Sequence, residues 1–394
     1  MPKSNSPHQT VRFDEMAVLA KERIDNPAEA GVDHYVGLEH LDKDSLKIMR
    51  WGVPTDVNAT KLLFKSGDII FGRRRVYLRK IAVADFDGIC SAHAMVLRAR
   101  PEVTLPEFLP FFMQSDTFMN RALEISVGSL SPTINWKTLA KQTFTLPPLT
   151  EQRELVKVLT ACESTIGGLS KLHFSLLQVL ESLSDTLMNP KASDDSTPLS
   201  AFAFINIDKV PVDDASTYKT VGVLNEGKGL FSKDDLDGAK TKYKAMIRLH
   251  PNQIVMRKLT AWEGAITVVP KEFAGAIVST EFPTVSLNES IASPSYMRWV
   301  FRQPWFWHEM KARSKGTALR RSRLNPQDLL EIAVNLPPME RQQHIVELLD
   351  SLDSQLTAIL ERRKHLISAK YRLFDDFESG VKGNTHVGVD RKFA

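Results

Sequence analysis

Ten positions between Leu155 and Leu187 follow one another at alternating steps of four and three: Leu155, Leu159, Cys162, Ile166, Leu169, His173, Leu176, Leu180, Leu183 and Leu187. That spacing is the a/d seam of a coiled coil and predicts one long helix. The seam returns in the same phase 190 positions later, as Ile345, Leu349, Leu352, Leu356, Ile359, Arg363, Leu366, Lys370, Leu373 and Phe377. A single seam helix also fits the core of an ordinary globular protein. Two in register mark an internal repeat, and each copy is interrupted by a polar residue at the same place, His173 and Arg363. Either these residues fix the register at some cost in stability, or their polar ends reach back to the surface.

What precedes each helix repeats too. From Tyr35 the chain turns to short apolar runs closed by turn residues: Tyr35-Val36-Gly37-Leu38, Leu62-Leu63-Phe64, Ile69-Ile70-Phe71, Ile81-Ala82-Val83 and Met95-Val96-Leu97. These predict strands of a mixed or antiparallel sheet. Leu105 to Met119 has helical spacing. Leu146-Pro147-Pro148-Leu149 then closes the block, with Thr150 as the expected N-cap and Glu151 and Glu154 suited to the positive end of the helix. Asn189-Pro190 stops that helix near Met188, and Ser193 to Ser196 forms an expected linker. In the second block Val221-Gly222-Val223 answers Val36-Gly37-Leu38, and His250 to Met256 answers Lys65 to Phe71. Ser279 to Phe282 answers Ser91 to Ala94, Tyr296 to Phe306 answers the Leu105 helix, Gly316-Thr317 answers Gly128-Ser129, and Leu336-Pro337-Pro338-Met339 closes the block.

The expected fold is therefore α+β: two similar mixed α/β globules, 1–149 and 189–338, separated by an antiparallel two-helix coiled coil, 150–188 and 339–380, with pseudo-two-fold repetition. Residues 381–394 are expected to be a mobile tail and the first ten residues to be loose. About 37 residues at about 1.5 Å each make a spacer of roughly 55 Å. Such a ruler suits a partner with two separated sites, and duplex DNA with half-sites about one helical turn (~34–36 Å) or more apart is the obvious candidate.

At 394 residues, with 43% hydrophobic and 25% charged side chains, the chain has material for two or three cores. Two cysteines, Cys90 and Cys162, are too few for a disulfide framework or a cysteine-built zinc site and fit a reducing compartment. No apolar run nears the roughly 18 residues that span a bilayer, and Met1 to Thr10 lacks the apolar core of a signal peptide, so a cytoplasmic protein without membrane partners is expected. The net charge of +4 permits a nucleic-acid partner without demanding one.

With these residues in view, nearly the whole chain resembles the specificity subunits of Type I restriction–modification systems. The resemblance rests on a Tyr-x-Gly-like entry strand, the closing Leu146 to Arg153 run, the heptads that follow it, and their repetition. The second copy departs from the pattern, with Glu340 and Arg341 where Thr150 and Glu151 stand. The resemblance implies two target-recognition domains, each followed by a conserved helix. It implies a DNA-binding adaptor with no catalysis of its own that reads a bipartite site, one half per domain. It further implies a chassis role for two adenine methyltransferase subunits and, in the full complex, ATP-using restriction subunits. No cofactor is expected in this chain; S-adenosylmethionine and ATP with magnesium belong to those partners.

Candidate DNA contacts follow from charge. Arg73-Arg74-Arg75, with Arg79 and Lys80, is the densest basic cluster of the first block and follows a strand end. Arginine suits both phosphates and guanine edges, although a solvated charged loop has the same composition. Arg257-Lys258 holds the equivalent place, followed by Thr260 and Trp262, the latter more often core than contact. Lys311, Arg313, Lys315, Arg320, Arg321 and Arg323 form a second basic stretch suited to phosphates. The matching loop of the first block, Val127 to Pro132, is uncharged, so the two blocks should read different bases. Gly167-Gly168 faces off the seam, at roughly 1 kcal/mol per glycine. Val156, Leu172 and Leu177 form an apolar outer face prone to association.

Two other readings stay open. The sequence holds no phosphate-binding Gly-x-x-x-x-Gly-Lys loop, no His-Glu-x-x-His, no methyltransferase Asn-Pro-Pro-Tyr motif and no glycine-rich cofactor loop. Scattered nuclease carboxylates leave no such signature, so an unrecognised DNA-modifying enzyme is one alternative. A coiled-coil scaffold without specific DNA binding is the other.

Overall fold

The computed structural model describes residues 8–43, 45–190, 196–316 and 321–381, with side chains of the last helix described as far as Leu373. Two compact units divide the chain: Met1–Lys171 with Ile359–Ala394, and Leu172–Ala358. The division falls inside the long helices, Leu149–Met188 and Met339–Val381, rather than at their ends. Each unit therefore owns one globule and a piece of both helices.

The first unit is built on a four-stranded antiparallel sheet in the order Ala17–Ala20, Ala94–Ala99, Ile69–Gly72, Ile81–Val83. A second sheet runs Arg23–Ile24, Lys61–Phe64, Gly88–Cys90, Tyr35–Val36, its last pair parallel. Ile69, Ile70 and Phe71 are all buried, as a strand covered on both faces requires. The predicted helix from Leu105 is two helices, Phe108–Gln114 and Asp116–Glu124, because Ser115 turns to the extended region and its Oγ accepts from Phe118 N at 3.2 Å. Phe13, Phe112, Phe118 and Phe144 interlock beneath them, mostly edge-on, with centroids 5.3–6.1 Å apart.

The second unit repeats this plan. Its main sheet runs Ala203–Ile205, Thr284–Leu287, Ile254–Met256, Ile266–Val268, strand for strand the order of the first. Asp208–Pro211, Ala245–Arg248 and Ile277–Val278 form the second sheet, and a parallel bridge from Thr220 to Ile277 stands where Tyr35 pairs with Ile89. The entry strand also recurs: Gln9–Arg12 pairs with Thr143–Leu146, and Ser196–Pro198 pairs with Ala333–Asn335.

Within each unit the two helix pieces meet antiparallel and press on their globule. Leu155, Val156, Leu159 and Leu373 join one core, while Leu176, Leu177, Leu180, Leu183 and Leu187 join Ile345, Leu349, Leu352 and Leu356 in the other. Lys370, on the seam of the second helix, is 1% exposed; its ammonium is held by the Glu163 carboxylate and by Gln114 Oε1 at 2.6 Å.

The closing motif owes its repetition to a glutamine. Gln152, fully buried, donates from Nε2 to Val103 O (3.1 Å) and Pro147 O (2.9 Å) and accepts Leu105 N at Oε1 (2.9 Å). Gln342, equally buried, donates to Ile291 O (2.9 Å) and Pro337 O (2.8 Å) and accepts Ser293 N (2.8 Å). Each amide ties the start of its helix to the loop before the first globule helix.

Several expectations change. Gln9 and Thr10 are strand residues, not loose, because their backbone groups pair with Leu146 and Thr145. Thr150 lies inside its helix; Pro148 O accepts Gln152 N at 2.9 Å and starts the ladder two residues before the expected cap. Val156 and Leu177 do not face outward but pack on their cores, since each helix serves its globule as well as the seam. Leu172 is exposed as expected, and so are Val158, Phe174 and Val179. Gly167 and Gly168 face open space. His173 and Arg363 are half-buried, and Arg363 Nε is enclosed. The expected tail lies outside the described residues from 382 on, as do residues 193–195 of the expected linker.

Candidate nucleic-acid interface

In the first unit the strand Ile69–Gly72 ends at the three arginines, which lead into a single 3-10 turn, Val76–Leu78. Arg75 and Arg79 flank this turn with φ of 55° and 51°. In the second unit Ile254–Met256 leads into Ala261–Glu263, flanked by Thr260 and Gly264 with φ of 54° and 69°. Left-handed backbone is costly for residues with a Cβ, most of all for a β-branched one. Of the five described non-glycine residues with positive φ, three (Arg75, Arg79 and Thr260) flank these two turns. Strain that persists must be held by its surroundings.

The surroundings are the same in both units. Arg73 N donates to His93 O (3.1 Å), Ile134 N to Arg73 O (2.9 Å), and Arg75 N to Pro132 O (2.8 Å). In the second unit Lys258 N donates to Glu281 O (2.9 Å), Leu324 N to Lys258 O (3.1 Å), and Thr260 N to Ser322 O (3.0 Å). A hairpin braces each turn: Val127 pairs with Thr133 in one, Lys315 with Arg323 in the other. Arg73 thus matches Lys258, Tyr77 matches Trp262, and His93 matches Glu281.

On this shared frame the side chains differ. Arg74 and Arg75 are exposed, their guanidiniums only loosely approaching Ser131 Oγ at 3.4–3.5 Å. His93 is held below the usual histidine pKa, by burial first and then by Arg74 and Arg73. Tyr77, half-exposed, and Leu130, 91% exposed, complete the outer face; neither stood out in the sequence, because exposure at a loop tip has no periodic signature. Arg79 differs from its neighbours: it pairs with Asp116 at 2.8 Å, donates to Gln114 O and stacks on Tyr371 at 5.0 Å. Lys80 donates to Leu38 O at 2.5 Å. Both are internal fasteners.

Arg257 is likewise spent inside the second loop, on Leu259 O (3.0 Å), Asn225 Oδ1 (3.0 Å), Thr260 Oγ1 (2.9 Å) and the Glu263 carboxylate. Lys258 and Arg323 share Glu281, at 4.0 and 3.3 Å. Lys315 pairs with Asp328 at 3.2 Å, Arg313 pairs with Glu309 one helical turn away, and Lys311 and Arg321 are exposed. Arg320 lies outside the described residues. Trp262 is half-buried on the turn. The structure brings Lys258, Arg321 and Arg323 to one loop cluster, while Lys311 and Arg313 sit on the preceding helix, Pro304–Arg313. Among the described residues no cluster of His, Cys, Asp and Glu could hold a metal ion, and no helix is long and apolar enough to cross a membrane.

The family model of the Type I restriction modification DNA specificity domain matches residues 6–172 and 284–369. The chain belongs to that family. That family is described as a DNA specificity domain of Type I restriction–modification systems. A curated relative, the specificity subunit of the Type I restriction enzyme EcoDI of Escherichia coli, is 29% identical over 149 residues, which are 37% of this chain and 33% of the relative. The alignment therefore spans about a third of that relative's length. Among solved structures, the S subunit of a Type I restriction–modification system from M. genitalium superposes with a TM-score of 0.55 at 12% identity, covering 95% of this chain and 96% of that one. A chain from a structure of complex assembly and conformational transition in a type I R-M system gives 0.54 at 19% identity, covering 94% and 97%. At such identities the likeness is one of fold, and it covers almost the whole length of this chain and of both solved chains.

Proposed function

We propose that this chain is the sequence-reading, non-catalytic subunit of a Type I restriction–modification complex. It recognises a bipartite, asymmetric site in double-stranded DNA, one half-site per unit, and presents that DNA to two methyltransferase subunits and, in the full complex, to restriction subunits. S-adenosylmethionine and ATP with magnesium belong to those partners, and the complex acts in the cytoplasm. The observation that carries this reading is the pair of braced basic loops: one backbone frame, two sets of side chains. A scaffold has no use for strained, arginine-bearing loops in equivalent places. Arg73, Arg74 and Arg75 serve the first half-site; Lys258, Arg321 and Arg323, with Lys311 and Lys315 toward phosphates, serve the second.

The test is to map methylated adenines in DNA from cells that express the chain with its methyltransferase. One bipartite motif with a fixed gap is expected, and replacing the loop from Arg73 to Leu78 should change only one half of it. A continuous motif, or none, sinks the proposal. Steep loss of duplex binding with rising salt separates a DNA reader from a scaffold.

A further inference from the structure

Beside the arginine loop of the first unit lies a cleft of about 340 Å³ that the loop itself does not fill. Lys21, Arg23 and Arg73 line it, Trp136 forms one wall, and the single carboxylate present, Asp25, accepts a hydrogen bond from Thr60 Oγ1 at 3.0 Å. None of the three cations makes a side-chain hydrogen bond or ion pair among the described residues, and Arg73 Nε is buried without a partner. The backbone of Arg73 is clamped on both sides, by His93 O and Ile134 N, so its side chain leaves a fixed base at the cleft.

We propose that this cleft is a nucleotide-phosphate site: the cations take one phosphate and the Trp136 indole borders the attached sugar and base. Three cations against one occupied carboxylate fit an anion, and the volume lies in the range of small-ligand sites. The second unit supplies an internal comparison. Its matching positions carry Ile207 for Lys21 and Pro326 for Trp136, and Lys258, in the place of Arg73, already has Glu281. Strand register supports the match, since Arg23 faces Leu62 as Lys209 faces Ile247. The site therefore belongs to the first unit, as an anchor beside its base-reading loop. This inference rests on the DNA-reading proposal for its biological ligand but not for its chemistry.

The phosphate has two possible sources, a DNA backbone or a free nucleotide, and one pair of measurements distinguishes them. The full chain and its Lys21→Gln/Arg23→Gln double variant, both changes at exposed positions, are titrated with duplex DNA over a range of salt and, separately, with thymidine 5′-monophosphate by calorimetry. If DNA is the source, the slope of log affinity against log salt falls by about 1–2 in the variant. If a free nucleotide enters, the wild-type chain binds thymidine monophosphate and the variant does not, whatever happens with DNA. Either result supports the site. A variant that matches the wild type in both titrations, while melting at the same temperature, overturns it. A wild-type chain that shows no salt-dependent DNA binding refutes the DNA-reading proposal, and the nucleotide titration then decides the cleft alone.

Discussion

Gln152→Leu is the substitution most informative about how the fold is held. Leucine has nearly the volume of glutamine, so the cavity term is small. What goes is the amide: Leu105 N, Val103 O and Pro147 O lose the partners they have at 2.9, 3.1 and 2.9 Å, in a place where no water reaches a side chain that is 0% exposed. An unpaired buried N–H costs about 1–3 kcal/mol, and two carbonyls add less each, which gives about 2–4 kcal/mol in all. Urea titration of the full chain, followed by circular dichroism and by tryptophan fluorescence, should show that loss in the transition of the first unit. Gln342→Leu should show a similar loss in the second, and because the two amides share no partner the double variant should display both in full. A loss below about 0.5 kcal/mol in both single variants would refute the claim that the closing motif recurs for the sake of these buried amides.

Lys370→Leu strands Glu163 and Gln114, and breaking such a buried pair costs about 3–5 kcal/mol, whereas Lys370→Leu with Glu163→Leu should recover most of it; a double-mutant cycle by thermal melting checks this. Arg79→Gln should lower the melting temperature with little effect on the salt slope of DNA binding, while Arg74→Gln should leave the melting temperature alone and lower the slope by about 1. His93 has its pKa depressed in the native state, so the unfolded chain binds that proton more readily. The stability it supports is complete above the ordinary histidine value and is lost as pH falls below it, and His93→Gln should flatten that part of a melting-temperature profile. Arg73 and Arg74 are the charges responsible beyond burial.

The long helices were legible because a seam at steps of four and three is a strong local code, and the two-block plan was legible because the code occurred twice. Strand cores such as Ile69-Ile70-Phe71 were equally plain. Other features depend on contacts distant in sequence. Nothing near Val156 or Leu177 indicates that a globule waits on that side of the helix, and nothing near Gln9 indicates Leu146. The arginine loop was visible as charge, but charge does not say where a side chain is already committed. Arg79 and Arg257 read like Arg74, and only the positions of Asp116 and Glu263 separate them. Gln152 and Gln342 carry no local mark of their role, because the residues beside them, Thr150 and Glu151 against Glu340 and Arg341, differ between the copies and the buried partners lie about 50 residues upstream.

The salt bridge between Lys370 and Glu163 joins residues 207 positions apart. On a ribosome adding about 5–20 residues per second, Glu163 emerges roughly 10–40 s before its partner exists. During that interval the first globule has made its sheets but lacks Leu373 over Leu155 and Leu159, and a seam built for another helix stands open to any other nascent chain. In the second unit Leu180 also waits for Ile345, Leu349 and Leu356, but those residues leave the ribosome before Lys370 and Leu373 do. Synthesis order thus makes the first half of this protein the last to be finished.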